Sequence, residues 1–450
     1  METTGLPRRQ ASWLVVCLLA FAFLTRAVLA MLYENHFDLD WYRTWALALP
    51  DGFFSAYARL NEGQYALDYP PVYLAFLWLV GLAYRAWPLA DYVMTDMLAM
   101  KFFPILFDTL AAGMLYLLCR RKSEPLGVLA AALWALNPSA LFNSAAWGQT
   151  DGMMLCLILF AFWFIEEDKP FIGSILFAVA ALTKMQTLYF TPVLFLVLWR
   201  RYRLDKALGC FFAAFGTGAA AFVPFIIGGF SRRGWAALLT PFEVYLGGLG
   251  KYPYAALNTY NLYGVGNLNW VYDGRSLLFG TYDEELGYAV GGLTYNHLSL
   301  VLLIASLAFA AFLVWKGREE YSLWLGCFAL MQGVFMLTTR MHERYQIAVL
   351  PFALVLYVLT RRTRWLALFG ALSLVTFVNQ FMLLIRNNTI NDPTAPWDAL
   401  FNPVQTVFSL LNLALFALSM VVCWQTAFPD GVRRKRQPEP APEPTEEVSP

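Results

Sequence analysis

The sequence predicts an all-α polytopic membrane protein with about 12 transmembrane helices. Hydrophobic residues make up 59% of the 450 residues and charged residues only 14%, whereas soluble domains carry about 25% charged residues. The apolar residues are gathered in runs close to the ~20 residues that a membrane-spanning helix needs. Basic residues are concentrated in short connectors between these runs. The formal net charge of +1 excludes nucleic-acid binding through bulk electrostatics.

Ten apolar runs are candidate spans. The first follows Arg8 and Arg9 and superficially resembles a signal peptide, but it continues to Tyr33 without a convincing cleavage site, so a retained span is predicted. A further stretch, 170–199, is too long for one straight span and is interrupted by the polar segment 183–186. It predicts two short helices that meet at a polar tip. The ten runs are 13–33, 97–119, 126–142, 150–166, 206–228, 292–315, 321–338, 346–360, 364–385 and 403–427.

The basic connectors predict the orientation, because Lys and Arg in short loops stay on the cytoplasmic side. Both termini are then cytoplasmic, provided that the apolar piece 70–88 does not cross the membrane. This piece is bounded by prolines and interrupted by Arg85, so a juxtamembrane or re-entrant helix is predicted. One transmembrane domain is expected over 1–428. The tail, 429–450, is basic and then rich in Pro and Glu, which predicts a disordered cytoplasmic segment.

This orientation brings four polar clusters to the outer side of the membrane. It also predicts two large outer loops, 34–96 and 229–291, with juxtamembrane helices in the first. Each cluster alone is compatible with an ordinary solvated connector. Four on one side indicate a functional site. The clusters are 34–45, 147–151, 183–186 and 340–345.

The first cluster carries two carboxylates, Asp38 and Asp40, followed by Trp41 and Trp45 on a predicted amphipathic helix. A carboxylate near the membrane surface could act as a general base towards an acceptor hydroxyl. Two carboxylates could also bind a divalent metal such as Mg or Mn. Aspartates at this spacing are common, so a helix-capping role is the alternative.

Three cations on the outer side, Lys184, Arg340 and Arg344, depart from the positive-inside pattern. Their donors suit an anionic group at membrane depth, such as the phosphate of a lipid carrier. The alternative is that they extend to ordinary lipid headgroups. Arg340 and Arg344 would share one face if their segment were helical, and Glu343 would neutralise one of them.

Ionisable residues also lie inside predicted spans. Arg26, Lys101 and Asp108 mark either a functional site in the bundle interior or a structural ion pair. Asp151, at the start of the run 150–166, is either a site residue or a helix N-cap. If these intramembrane residues are functional, the chain could instead be a transporter or flippase of lipid-linked sugars. Such a protein needs polar groups through the bilayer midplane.

Taken in order, these residues resemble the GT-C superfamily of integral-membrane glycosyltransferases. More narrowly, the chain is similar to the bacterial mannosyltransferases related to the second mannosyltransferase of GPI-anchor assembly. It is similar, more distantly, to the dolichyl-phosphate-glucose-dependent glucosyltransferases. The matching pieces are Asp38 with Arg43 and Trp45, then 68–71, 107–108, 137–138, 147–151, 184–186 and 340–345.

The resemblance implies a GT-C-like fold in the inner cell membrane, with the active site outside the cytoplasm. It implies inverting transfer of a hexose, mannose or glucose, from a polyprenyl-phosphate-linked donor to a glycan or lipid acceptor. The catalytic aspartate would be Asp38, which matches by its spacing to Arg43 and Trp45. Asp40 is an additional carboxylate, so the base and any metal requirement stay open. The substrate-binding residues expected from the match are Arg43, Asp68, Gln149, Asp151, Lys184, Gln186, Arg340, His342, Glu343, Arg344 and Tyr345.

Overall fold

The structure is a computed structural model that describes residues 7–33, 37–60, 66–283, 285, 288–388 and 397–429. Residues 34–36 of the first polar cluster and most of the predicted tail lie outside the described residues. The α-helices are α1 Arg8–Leu32, α2 Phe37–Ala48, α3 Ala56–Arg59, α4 Pro71–Ala86, α5 Val93–Cys119, α6 Glu124–Ala135, α7 Pro138–Leu141, α8 Asp151–Glu166, α9 Pro170–Ala181, α10 Thr191–Arg233, α11 Thr240–Gly250, α12 Tyr295–Lys316, α13 Ser322–Leu337, α14 Leu350–Thr360, α15 Thr363–Asn388 and α16 Trp397–Ala427.

The prediction of a helical polytopic membrane protein is confirmed. Seven helical stretches in the described part of the chain are long and apolar enough to cross a membrane, or eight if α6 and the bent segment after it form one span. Every predicted span contains a helix, but several are short, so the number 12 stays a prediction. The two predicted spans on either side of Arg203 run together as α10, with non-helical backbone at Arg203 itself.

The large outer loop adds the main departure from an all-helical chain. Strands β1 Leu277–Asp283 and β2 Tyr288–Thr294 pair as an antiparallel hairpin. The loop also begins later than predicted, because α10 continues to Arg233. A buried, irregular stretch, 255–264, packs into the bundle, where Asn379 and Asn412 donate hydrogen bonds to its backbone carbonyls at 2.7 Å.

Prolines mark where many of the helices begin. Proline lacks a backbone N–H and has its φ fixed near the helical value, so it is favoured in the first helical turn, where no N–H partner is needed. The polar tip predicted within 170–199 is confirmed: α9 ends at Ala181 and the next helical turn begins at Met185. The helix-starting prolines are Pro71, Pro125, Pro138, Pro170, Pro192, Pro241 and Pro351.

Helix α4, the predicted non-crossing piece, has 16 residues and lies against α2. A Cβ on its Gly81 would meet the carbonyl oxygen of Ala46 at 2.0 Å, so the two backbones touch. Arg85 of α4 pairs with Asp51 just after α2, at 2.5 Å. Helices α2 and α4 therefore pack directly against each other, and the non-crossing position of α4 stays a prediction.

The predicted cytoplasmic connectors meet at one end of the bundle. Lys122 pairs with Glu320 at 3.0 Å, and Arg201 with Glu166 at 3.0 Å. Helix α5 runs from this end to Asp96, which pairs with Arg43 of α2. The predicted outer loops are therefore at the opposite end, as the orientation requires. Which end faces the cytoplasm stays a prediction.

Candidate functional site

A cavity of about 840 Å³ opens where the four polar clusters meet. The four clusters, predicted to share one side of the membrane, therefore lie together at one end of the bundle. One part of the wall is aromatic and polar, and another is apolar. The charged residues of the described wall are five cations and three carboxylates, an excess of positive charge that suits an anionic substrate. They are Lys184, Lys251, Arg340, Arg344 and Arg386, with Asp38, Asp68 and Glu343.

Asp38 lines this cavity from the first turn of α2. Its Oδ2 accepts hydrogen bonds from Trp147 Nε1 at 2.9 Å and from Gln149 Nε2 at 2.5 Å. Its Oδ1 accepts none from the described residues, so one carboxylate oxygen is fixed and the other is available to a substrate. The turn at Gly148 brings both donors into position. Gly148 has φ +81°, and a Cβ there would meet Leu39 at 2.8 Å, so glycine is required.

Asp40 does not line the cavity, although the sequence made it a second catalytic candidate. Residues two apart on a helix point to different faces, and Asp40 instead pairs with Arg43 at 3.0 Å. Arg43 also pairs with Asp96, and it too is absent from the cavity wall. Its predicted substrate contact therefore has no geometric support, and its position indicates that it orients α2.

Behind the cavity, Asp151 and Lys184 form a buried ion pair at 2.6 Å. Arg344 approaches Asp151 at 3.8 Å and pairs with its neighbour Glu343. The N-cap interpretation of Asp151 is wrong, because the N-cap residue is Thr150 and its side chain caps nothing. Four charges that the sequence distributes over two hundred residues thus form one network.

Burial and pairing oppose each other in this network. Burial lowers the pKa of Lys184, and Asp151 only partly offsets this effect. Burial also disfavours the Glu343 carboxylate, but the Arg344 charge and a hydrogen bond from His342 outweigh it and lower the pKa of Glu343 to about 2. Arg344 lies over the Trp147 ring at 5.4 Å and the Tyr345 ring at 5.7 Å, so its charge is held between two aromatic walls.

The segment 340–345 is not the helix that would place Arg340 and Arg344 on one face. Arg340 has φ +64°, and its N–H donates to Tyr254 at 2.9 Å. His342 forms a β-bridge with Leu257. The Arg340 side chain makes two hydrogen bonds to Asp273, at 2.7 and 3.1 Å. Arg340 therefore holds the large loop, while Arg344 points into the network of Asp151.

Gln186, His342 and Tyr345, which were also predicted to bind substrate, lie in the cavity wall, where Tyr345 contacts the other two. Gln186 donates to the Tyr345 hydroxyl at 2.7 Å. His342 lies against Tyr345 and Tyr252, with ring centroids 5.2 and 5.1 Å apart. All of these residues line the cavity.

Asp68 also lines the cavity and pairs with Lys251 at 2.5 Å. Sequence reasoning missed Lys251 and Asp273. The signal for Lys251 was present, because it is another cation on the predicted outer side, like Lys184. Asp273 carried no such signal, since carboxylates are common in outer loops.

Asp38 and Asp40 do not form a joint metal site, because they have different partners on different faces of α2. Among the described residues, no group of three or more His, Cys, Asp or Glu side chains is arranged to hold a metal ion. The acidic pair therefore does not fit the divalent metal that its spacing suggested.

The ionisable residues of the predicted spans are paired with each other or with backbone. Arg26 and Asp108 form a buried pair at 2.8 Å. Lys101 donates to the carbonyls of Tyr33 and Ala30 at 2.5 and 3.2 Å. None of Arg26, Lys101 and Asp108 lines the cavity. Their contacts therefore support a structural role in the bundle and not a functional site.

A family model for glycosyltransferase family 87 matches residues 67–340 of the chain. The chain belongs to glycosyltransferase family 87. Membership confirms the expected integral-membrane glycosyltransferase of the GT-C superfamily. The matched segment runs from the Asp68 region to Arg340, and so includes the second and third polar clusters.

Among solved structures, the chain is similar to the Archaeoglobus fulgidus oligosaccharyltransferase, solved with a tethered acceptor peptide. The identity is 14% and the TM-score 0.33, over 94% of this chain and 56% of that chain. The chain thus covers little more than half the length of that protein. No curated protein matches the chain.

Proposed function

We propose that this glycosyltransferase moves a hexose, mannose or glucose, from a polyprenyl-phosphate donor to an acceptor hydroxyl outside the cytoplasm, with inversion. The observation that carries the proposal is that Asp38, with one free carboxylate oxygen, shares a cavity with the buried cations Lys184 and Arg344. A general base and a phosphate-binding pair are the two parts that such a transfer requires.

The donor would bind with its phosphate at Lys184 and Arg344 and its lipid along the apolar wall. Buried cations are partly dehydrated, which strengthens their interaction with an anion. Arginine also matches the planar spacing of two phosphate oxygens. Phosphate binding would compete with the carboxylates that now pair with these cations. The apolar wall consists of Leu188, Leu303, Val334 and Leu383.

In the transfer step, Oδ1 of Asp38 takes the proton of the acceptor hydroxyl while the hydroxyl oxygen attacks the anomeric carbon. The bond from that carbon to the phosphate oxygen breaks, and polyprenyl phosphate leaves with the electron pair. The hydrogen bonds from Trp147 and Gln149 hold Asp38 in position during this step. A single displacement inverts the anomeric centre without a covalent glycosyl-enzyme.

The test is mass spectrometry of cell-envelope glycans and polyprenyl-phosphate sugars with and without the protein. We expect loss of one glycan and accumulation of one polyprenyl-phosphate hexose, which would identify product and donor together. Unchanged glycans and lipid-linked sugars would contradict the proposal.

The active site is proposed to face outward from the inner cell membrane. In a variant without native cysteines, Thr44→Cys should react with a membrane-impermeant maleimide in intact cells, and Lys169→Cys should not. Both positions are exposed. Labelling of position 169 and not of position 44 would show that the orientation is the opposite of the one proposed.

A further inference from the structure

Lys251 and Asp68 form an ion pair in the cavity wall that has no role in the proposed transfer step. Lys251 follows α11 in the large loop, and Asp68 lies in the first loop. The Lys251 ammonium is 2.5 Å from Asp68 Oδ2 and lies 4.4 Å from the centroid of the Trp41 ring and 5.7 Å from that of Tyr252. Both members of the pair line the cavity, and each side chain is a little over one quarter exposed.

The pair and the proposed phosphate site reach the surroundings of Asp38 through different aromatic rings. Asp38 accepts a hydrogen bond from Trp147, over which Arg344 lies. Trp41 is three residues from Asp38 on the same helix, and Lys251 lies over the Trp41 ring. An inverting displacement requires an acceptor subsite near the base that uses none of the phosphate-binding residues, and the pair meets this requirement.

The pair offers a hydrogen-bond donor and an acceptor next to each other. A lysine ammonium has three N–H donors, of which one is directed at Asp68. The Asp68 carboxylate has about four acceptor sites, of which Lys251 occupies one, and the side chain is 27% exposed, so it retains capacity for a donor. Two neighbouring hydroxyl groups of a sugar can supply that donor and accept from the ammonium. A simple lipid alcohol has one hydroxyl and can satisfy only one of these groups.

We propose that Asp68 and Lys251 bind neighbouring hydroxyl groups of the acceptor, and that the acceptor is therefore a saccharide. The inference rests on the proposed function and assigns the acceptor half of the same cavity. Trp41 and Tyr252 form the aromatic wall beside the pair. Asp68 and Lys251 are specificity residues here, since neither is required to move a proton.

The experiment uses the full-length protein in lipid nanodiscs, with polyprenyl-phosphate mannose and polyprenyl-phosphate glucose as donors. The acceptor probes are octyl α-mannoside, octyl α-glucoside and octanol. We expect transfer to at least one octyl glycoside and none to octanol. Asp68→Asn and Lys251→Met should raise KM for the glycoside by roughly 10- to 150-fold, the effect of losing one hydrogen bond to a charged group. The donor KM should stay near the wild-type value.

The matched control is Asp51→Asn, which breaks another ion pair at the same end of the bundle, that with Arg85 at 2.5 Å. It should leave the KM for the glycoside unchanged. If Asp68→Asn and Lys251→Met lower Tm but not the affinity for the glycoside, the pair only ties two loops together and the inference is overturned. Equal transfer to octanol would also overturn it.

If the wild-type protein turns over neither donor, the proposed function fails. The saccharide subsite is then tested separately, by measuring whether the protein binds a saccharide in the absence of donor. Saturation-transfer NMR of octyl α-mannoside and octyl α-glucoside, without donor, gives that measurement. A sugar-ring signal with the wild type that is lost in Asp68→Asn supports the subsite, and equal signals contradict it.

Discussion

The indole nitrogen of Trp147 donates a hydrogen bond to Asp38 Oδ2 across 2.9 Å, joining residues 109 positions apart in the chain. The same indole ring lies under the Arg344 guanidinium at 5.4 Å. One rigid side chain therefore fixes the distance between the candidate base and a candidate phosphate-binding cation. Any displacement of Trp147 would disturb both, which makes this contact central to the geometry of the site.

The first prediction concerns the base. Asp38→Asn should reduce turnover by about 10²- to 10⁴-fold, the usual contribution of general-base catalysis, because the amide cannot take the acceptor proton. Donor binding should persist, since the cations are unaltered. The measurement is single-turnover transfer from a defined polyprenyl-phosphate hexose.

Asp40→Asn is the matched control, because it changes the same group on the same helix outside the cavity. We expect it to keep most of the activity, and EDTA to leave the wild-type rate unchanged. Near-normal turnover in Asp38→Asn would remove Asp38 from the role. If both variants and EDTA abolish activity, the two carboxylates bind a metal after all.

The second prediction concerns donor binding. Arg344→Gln should weaken the affinity for the lipid-linked sugar by roughly 10- to 150-fold, because one hydrogen bond to a charged group is worth about 1.5–3 kcal/mol. Arg43→Gln is its control: this arginine is also ion-paired at the same end of the bundle but is absent from the cavity wall. Donor titration of the purified, folded variants is the measurement. Equal donor affinity in Arg344→Gln and the wild type would exclude the assigned contact.

Much of this arrangement could be predicted from the sequence. Runs of apolar residues identify the helices, because a membrane leaves few other ways to satisfy backbone groups. Prolines identify many of the helix starts, and Lys184 marks a polar tip because a cation at that depth is unfavourable without a partner. The convergence of the four clusters followed from the orientation of the helices alone.

The partners of individual charges could not be predicted. Asp151 at a helix start resembles an N-cap, and only the packing of α8 against the tip brings Lys184 to it. Arg340 and Arg344 have helical spacing, but the β-bridge of His342 to a distant loop overrides local preference. Such contacts depend on tertiary structure that no local pattern encodes.

The third prediction concerns pH. The pKa of Glu343 is lowered from its ordinary 4.5 to about 2, so its stabilising effect is complete above pH 4.5 and is lost as the pH falls towards 2. The unfolding temperature should therefore fall over that window. Glu343→Gln should destabilise the protein at pH 7 by about 3 kcal/mol, because one pKa unit corresponds to 1.36 kcal/mol, and should flatten the acid dependence.

Thermal unfolding in detergent, followed by tryptophan fluorescence, measures both effects. Glu320→Gln is the control, since this carboxylate is half exposed in its pair with Lys122 and such pairs contribute little. It should keep the acid dependence of the wild type. The same slope in Glu343→Gln and wild type would show that Glu343 is not the group responsible.

The last prediction tests whether the buried pair of Arg26 and Asp108 stabilises the fold or takes part in transport. Arg26 and Asp108 are fully buried, and Asp108 also accepts hydrogen bonds from Trp134 at 3.0 Å and Ser144 at 2.9 Å. Removing one member of a buried pair leaves an uncompensated charge and costs roughly 3–5 kcal/mol. Arg26→Met should therefore lower the unfolding temperature strongly, and so should Asp108→Leu.

The double variant, Arg26→Met with Asp108→Leu, should recover much of that loss, because apolar replacement of both members of a buried pair is often neutral or stabilising. Its transfer rate per folded molecule should equal that of the wild type, since neither residue lines the cavity. Two results would instead give this pair a functional role. One is a fully stable double variant that has lost activity. The other is transport of lipid-linked sugar between the leaflets of vesicles by the wild type but not by the double variant. Equal rates in the two proteins would leave Arg26 and Asp108 as the ion pair that holds α1 against α5.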